Sequence, residues 1–155
     1  MKNAMFSTME TENISFISNA HKKFYFEKLK EVRYQDTYHK ALCYCLGINN
    51  ETRQNISKIY DFKTGCIKPE CLHEGWQTSA SLKVVRMAFN LYCSGTPSVD
   101  DTKDIDEQLY ECRQYSVEDI FCCCYASYFW QAIKIRYPEY ACYNHSLYEM
   151  LGAVD

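Results

Sequence analysis

The feature that most constrains the fold is a long segment, residues 116–136, with apolar side chains on nearly every side of a helix. Ser116 and Asp119 form a capping box at its start, and Pro138 follows its end. The polar side of this helix is a narrow stripe formed by Ser127, Gln131 and Lys134. A helix that is apolar almost all round is normally buried. We therefore predict a mainly α fold, a compact helical bundle around a central buried helix at about 116–136.

Shorter amphipathic segments supply the neighbours of this central helix. Apolar residues recur at helical spacing over residues 17–32, and a second helix is predicted after the N-cap residue Asp36, with Gly47 as its stop. The clearest amphipathic pattern begins at Thr78 or Ser79 and ends before Ser94. In that helix three polar side chains are expected to face solvent: Lys83, Arg86 and Asn90.

One small β-hairpin is predicted at about residues 58–68, because a short turn containing Gly65 joins two extended segments. Residues 1–14 lack a periodic pattern and are expected to form a flexible leader. The remaining stretch, 15–155, has the length of one domain, so we predict a single helical domain.

Composition argues for a cytoplasmic protein. The first residues lack the apolar run of a signal peptide, and the longest apolar run, residues 121–130, is too short to span a bilayer at ~20 residues. The ten cysteines are therefore interpreted as mostly buried, reduced thiols. The net charge of -3 argues against direct nucleic-acid binding, which needs clustered Lys and Arg.

One acidic segment dominates the charge pattern between residues 98 and 114. A solvated loop leading into a short helix is the simplest interpretation, and a protein-binding surface is the functional one. The C-terminal tyrosines can add amphipathic anchors to such a surface. The candidate partner-binding residues are Asp100, Asp101, Asp104, Asp106, Glu107, Glu111, Tyr140 and Tyr143.

An enzyme centred on Asp61, Glu70, Cys71 and His73 is the alternative. Asp61 and Glu70 are carboxylates that can hold a metal in a nuclease-like site, although Asp61 beside Lys63 also fits turn chemistry. Cys71 and His73 can form a thiol and base pair. We expect no cofactor; zinc on Cys66, Cys71 and His73 is the alternative, but the C-x4-C-x-H spacing lacks a paired C-x2-C.

Three strings carry a resemblance to a known family: Ile59-Tyr60-Asp61-Phe62, Pro69-Glu70-Cys71-Leu72-His73 and Arg86-Met87-Ala88-Phe89-Asn90-Leu91-Tyr92. Over roughly residues 16–137 the chain resembles small proteins of Gram-positive bacteria and their mobile elements, known as a domain of unknown function. The resemblance implies a compact, mainly helical domain in a bacterial or phage-infected cell, and it implies no activity.

Together these features favour a small acidic protein-binding module without catalysis. We expect an inhibitor of a bacterial defence nuclease complex, similar to an anti-CRISPR protein. Its carboxylates, with Glu118 and Asp119, would occupy the Arg or Lys sites of a CRISPR effector or other nucleic-acid-handling complex. A metal-dependent or thiol enzyme remains the alternative.

Overall fold

The computed structural model describes residues 14–141, and helices account for most of this part of the chain. The predicted mainly α fold with one small hairpin is confirmed. The elements are α1 (Asn19–Lys28), α2 (Thr37–Ile48), α3 (Asn50–Gln54), α4 (Ile56–Ile59), β1 (Tyr60–Asp61), β2 (Cys66–Ile67), a 3-10 helix (Pro69–His73), α5 (Ser79–Cys93), α6 (Ile105–Arg113), α7 (Val117–Phe121) and α8 (Ala126–Arg136).

Three helices begin at the capping residues that the sequence indicates. The Asp36 carboxylate accepts a hydrogen bond from the backbone N–H of His39 at 2.9 Å. Thr78 forms a reciprocal capping box with Ser81 at the start of α5, and the Ser116 hydroxyl accepts from the backbone N–H of Asp119 before α7. Each such cap stabilises its helix by about 1 kcal/mol, so local sequence fixes these starting points.

The centre of the fold is α2, so the prediction of a central helix at 116–136 is wrong. His39 and every residue from 41 to 48 are buried, and Leu42 and Cys45 have no exposed surface. Helix α2 packs against α1, α5 and α8, and α3 follows directly at its end. Neighbours therefore cover α2 on several sides, as a buried helix requires.

Residues 116–136 form two helices of the outer layer. Helix α7 ends at Phe121, and Cys122 takes a non-helical conformation with φ -75° and ψ 61°. Helix α8 then buries Phe129, Ala132 and Arg136, while Trp130 stays 46% exposed. The break allows α7 to pack against α5 while α8 packs mainly against α2, so the apolar sides of this segment cover two different helices.

The predicted hairpin is present in a shorter form. Tyr60 pairs with Ile67 and Asp61 with Cys66 in antiparallel register. Gly65 has φ +74°, a left-handed conformation that glycine adopts without strain. The hairpin thus places the loop at residues 62–65 beside α5, where the Tyr92 hydroxyl donates to the Gly65 carbonyl at 2.8 Å.

Gly47 lies inside α2 and does not end it, which corrects the predicted stop. A Cβ at this position would lie 2.6 Å from Cδ2 of His21. His21 is fully buried, its Nε2 lies 2.8 Å from the Tyr44 carbonyl oxygen, and its Nδ1 accepts from the backbone N–H of Ile17 at 3.3 Å. Gly47 is therefore the gap in α2 into which the His21 ring fits, and it joins α1 to α2.

The nine cysteines of the described residues are all free thiols. The expectation that they are mostly buried is wrong, because the buried ones are Cys43, Cys45 and Cys71. The consecutive cysteines at 122–124 lie in the break between α7 and α8, where an exposed turn replaces the expected helix core. In the described part of the chain, no helix combines the length and apolarity that crossing a membrane requires.

Substituting Gly47→Ala should destabilise the protein by about 2 kcal/mol, since the added methyl group overlaps the His21 ring in a packed core. Gly75→Ala is the matched control, because an added Cβ there has no atom within 4 Å. Urea unfolding followed by circular dichroism measures both variants. Equal stability of the two variants would contradict the proposed packing of His21 against α2.

The buried His21 also predicts a loss of stability in acid. Burial away from water lowers the pKa of His21 from 6.5 to about 4. The unfolded chain therefore binds this proton more readily, so stability should fall between pH 6.5 and about 4, by up to about 3 kcal/mol. Urea unfolding of the wild type and of His21→Gln across this pH range isolates the contribution of His21 protonation to the free energy of unfolding. The wild type should lose more stability than the variant on acidification; parallel pH profiles would contradict the assignment.

Candidate functional site

A groove of about 830 Å³ lies between the 3-10 helix and the segment that includes α6. It brings together Glu70 and His73, from the candidate enzyme site, with most of the candidate partner-binding carboxylates. The residues that line it are Pro69, Glu70, His73, Pro97, Ser98, Val99, Asp100, Asp101, Lys103, Asp106, Glu107, Gln108, Tyr110 and Glu111. We call this site the acidic groove.

The carboxylates of the acidic segment have two different roles. Asp100 accepts hydrogen bonds from the hydroxyl and backbone N–H of Thr102 at 2.6 and 2.9 Å, which lower the pKa of Asp100. Asp104 caps α6 by accepting from the backbone N–H groups of residues 106 and 107. Among the described residues, no side-chain hydrogen bond or ion pair engages the carboxylates of Asp101, Asp106 and Glu107. These three are available to a ligand.

Glu111 lines the acidic groove and is paired with Arg86 of α5. The Arg86 Nε and a terminal nitrogen each donate to one carboxylate oxygen of Glu111 at 3.0 Å, in a bidentate pair. The two side chains are 11% and 16% exposed, so the expectation that Arg86 faces solvent is wrong. Ser98 donates to the same carboxylate at 2.6 Å. This ion pair fixes the position of α6 on α5.

A double-mutant cycle tests the role of this pair. Glu111→Gln should cost about 3 kcal/mol, because it leaves the Arg86 guanidinium largely buried without its counter-charge. The double variant Arg86→Met with Glu111→Gln should cost less than the sum of the single variants. Glu27→Gln is the control, since it breaks the exposed pair with Lys23, and it should change stability by less than about 0.5 kcal/mol.

Hydrogen exchange of the α6 amides is the second measurement for this cycle. Glu111→Gln should increase exchange in α6 more than in α2, because the ion pair attaches α6 at the edge of the fold. Additive energies together with unchanged exchange would show that Arg86 does not hold α6.

Helix α6 also exposes apolar side chains. None of its residues is buried in the described structure. Ile105 is 67% exposed and Leu109 is 56% exposed; they lie four positions apart and so share one face of the helix. Tyr110 is exposed beside them and lines the acidic groove. Apolar and aromatic side chains next to free carboxylates form the composition of a protein-binding surface.

The alternative enzyme residues do not form one constellation. Asp61 accepts from the backbone N–H groups of Lys63 and Thr64 at 2.9 and 3.4 Å, which is turn chemistry. Cys71 has no exposed surface, and burial raises its pKa to about 12, whereas His73 is exposed. The buried thiol is therefore held protonated, and only Glu70 and His73 share the acidic groove.

The candidate zinc ligands Cys66, Cys71 and His73 are likewise not assembled. Within residues 14–141, no group of three or more His, Cys, Asp or Glu side chains is placed to hold a metal ion. Tyr140 is 83% exposed, as a partner contact would require. The second candidate tyrosine, Tyr143, lies outside the described residues.

Sequence reasoning missed a hydrogen-bonded chain beside the hairpin. The His39 Nδ1 lies 2.7 Å from the Asp36 carboxylate, and its Nε2 lies 3.4 Å from the Tyr92 hydroxyl. The Tyr92 hydroxyl in turn lies 3.2 Å from that of Tyr60. The one signal in the sequence is the spacing of Asp36 and His39, which places an acid and an imidazole on the first turn of a helix.

A family model matches residues 11–149 of the chain, and its description is a family of unknown function, DUF6075. No curated protein and no solved structure matches the chain.

Proposed function

Since the chain belongs to the DUF6075 family, whose function is unknown, we propose from its surface that it is a small acidic protein-binding module without catalysis. The observation that carries this proposal is the exposure of α6. Its free carboxylates, Asp106 and Glu107, lie next to exposed apolar side chains, Ile105 and Leu109. A helix with both features contributes little to the core and has the composition of an interface.

Charge complementarity defines the partner. Among the described residues, six carboxylates and one lysine, Lys103, line the acidic groove. A surface of this sign attracts Arg and Lys side chains, and complementary potentials raise the rate of association and exclude acidic partners. The apolar face of α6 would then bury against apolar residues at the centre of the contact, where binding energy concentrates.

The partner that we propose is a nucleic-acid-handling protein of a bacterial cell. Proteins of this class hold phosphates with Lys and Arg, and these side chains also form charge-assisted hydrogen bonds with carboxylates. An inserted acidic helix would block such a site, as an anti-CRISPR protein would block a defence nuclease complex. The chain would then be a mobile-element or phage product, and a CRISPR effector is the partner to test first.

Charge reversal tests the acidic surface. The variant Asp101→Lys, Asp106→Lys, Glu107→Lys changes exposed carboxylates that make no described hydrogen bond, so the fold should persist. The control variant Glu27→Lys, Glu31→Lys, Glu51→Lys makes the same change in net charge on α1, the turn after it and α3. Each protein is added to a purified CRISPR effector, and binding of the effector to its target DNA is measured.

The wild type and the control should both inhibit DNA binding, and the reversed variant should lose at least about 1.4 kcal/mol of affinity, a tenfold effect. Leu109→Ser should also weaken inhibition, because it removes an apolar anchor without changing charge. If the wild type leaves DNA binding unchanged, the effector is not the partner. If the control and the reversed variant are equally impaired, the acidic groove is not the binding surface.

A further inference from the structure

A second, smaller pocket lies beside the hairpin, at the end of α5. It has a volume of about 170 Å³ and shares no lining residue with the acidic groove among the described residues. The turn after α1, the first turn of α2, the hairpin and the end of α5 surround it. Its lining residues are Arg33, Tyr34, His39, Tyr60, Phe62, Lys63, Thr64, Gly65 and Tyr92. We call it the hairpin pocket.

The charge of the hairpin pocket is opposite to that of the acidic groove. Arg33 and Lys63 contribute two positive charges, and the lining contains no carboxylate within the described chain. The Arg33 guanidinium lies over the Tyr34 ring at 5.3 Å, which restricts its position. Neither Arg33 nor Lys63 forms an ion pair with another described residue. Both cations are therefore available to an anion.

His39 lines the hairpin pocket, and its imidazole ring is held in a fixed orientation. A carboxylate accepts hydrogen bonds, so the Nδ1 of His39 donates to Asp36 at 2.7 Å and holds the ring in place. Tyr92 donates its proton to the Gly65 carbonyl at 2.8 Å, and burial raises the pKa of Tyr92, which keeps that proton on the phenol. The 3.4 Å contact from His39 Nε2 to the Tyr92 oxygen is correspondingly long. Nε2 can therefore exchange this long contact with Tyr92 for a hydrogen bond to a ligand.

The size of the hairpin pocket limits what it can hold. At about 170 Å³ it is smaller than the ~300–1,000 Å³ sites of drug-sized ligands, so a nucleotide would not fit. A phosphate or carboxylate group fits, with room for part of an attached ring against Tyr34 and Phe62. An imidazole nitrogen suits both groups, because it accepts from a hydrogen phosphate and, once protonated, donates to any oxyanion.

We propose that the hairpin pocket binds a small oxyanion, a phosphate monoester or a carboxylate, between Arg33, Lys63 and the Nε2 of His39. The two cations neutralise the charge of the anion. The Nε2 of His39 accepts a hydrogen bond from a hydrogen phosphate, or donates one to a carboxylate when the ring is an imidazolium. Tyr34 and Phe62 lie against the group that carries it. This site is independent of the acidic groove and of the protein partner proposed for it.

Titration followed by heteronuclear NMR tests the proposal on the full chain, with inorganic phosphate, phenyl phosphate, acetate and benzoate as separate probes. We expect saturable shifts of the His39 imidazole and of the Gly65 and Tyr92 amides. The variant Arg33→Gln with Lys63→Gln should lower affinity at least tenfold, equivalent to about 1.4 kcal/mol. Both side chains are exposed, so the variant should fold. Lys22→Gln with Lys23→Gln is the control of equal charge change.

The probes also distinguish the two sources of the oxyanion. Saturation by inorganic and phenyl phosphate at lower concentration than by acetate and benzoate would assign a phosphate monoester, and the reverse order would assign a carboxylate. Tighter binding of the aryl probes would confirm the contact with Tyr34 and Phe62. Absence of saturable shifts at His39, or equal weakening in the two double variants, would overturn the proposal.

Discussion

Burial of α2 from Ala41 to Ile48 is the constraint on which the rest of the structure depends. The backbone of a helix satisfies its own hydrogen bonds, but side chains such as Leu42 and Tyr44 need apolar neighbours on every side of the axis. Helices α1, α5 and α8 provide them, and each must come close. Small residues in α2, notably Ala41 and Gly47, permit that approach, and at Gly47 the approaching group is the His21 ring.

The local features of the fold could be predicted because short-range chemistry determines them. Asp36, Thr78 and Ser116 cap helices wherever the helix later packs, and Gly65 permits the hairpin turn by itself. The choice of central helix could not be predicted in this way. Apolar residues on all sides occur in a core helix, and they also occur in a segment that breaks and covers two neighbours, as residues 116–136 do. The cysteines at 122–124 have no strong conformational preference, so the sequence does not indicate that the helix breaks there.

The candidate sites also combine features that the local sequence predicts with features that depend on tertiary packing. The carboxylates between residues 100 and 107 are hydrophilic in any fold, so their exposure could be predicted from composition. The helical periodicity of α5 predicted that Arg86 faces solvent. This prediction failed because Glu111, which is distant in sequence, pairs with Arg86 in the folded chain. The position of Glu70 and His73 across the groove from α6 also depends on tertiary packing. The chain from Asp36 through His39 to Tyr92 needs two helices to meet, which one-dimensional spacing cannot specify.

Helix α5 connects the core to both candidate surfaces. Its apolar face packs on α2, Arg86 attaches α6 through Glu111, and Tyr92 attaches the hairpin through the Gly65 carbonyl. Six residues separate Arg86 from Tyr92, which is about 9 Å along the axis and places them on different sides of the helix. The proposed ligand of the hairpin pocket and the proposed protein on α6 would therefore lie on different sides of α5. The lining residues of the two sites do not overlap among the described residues, so we expect the two surfaces to act independently.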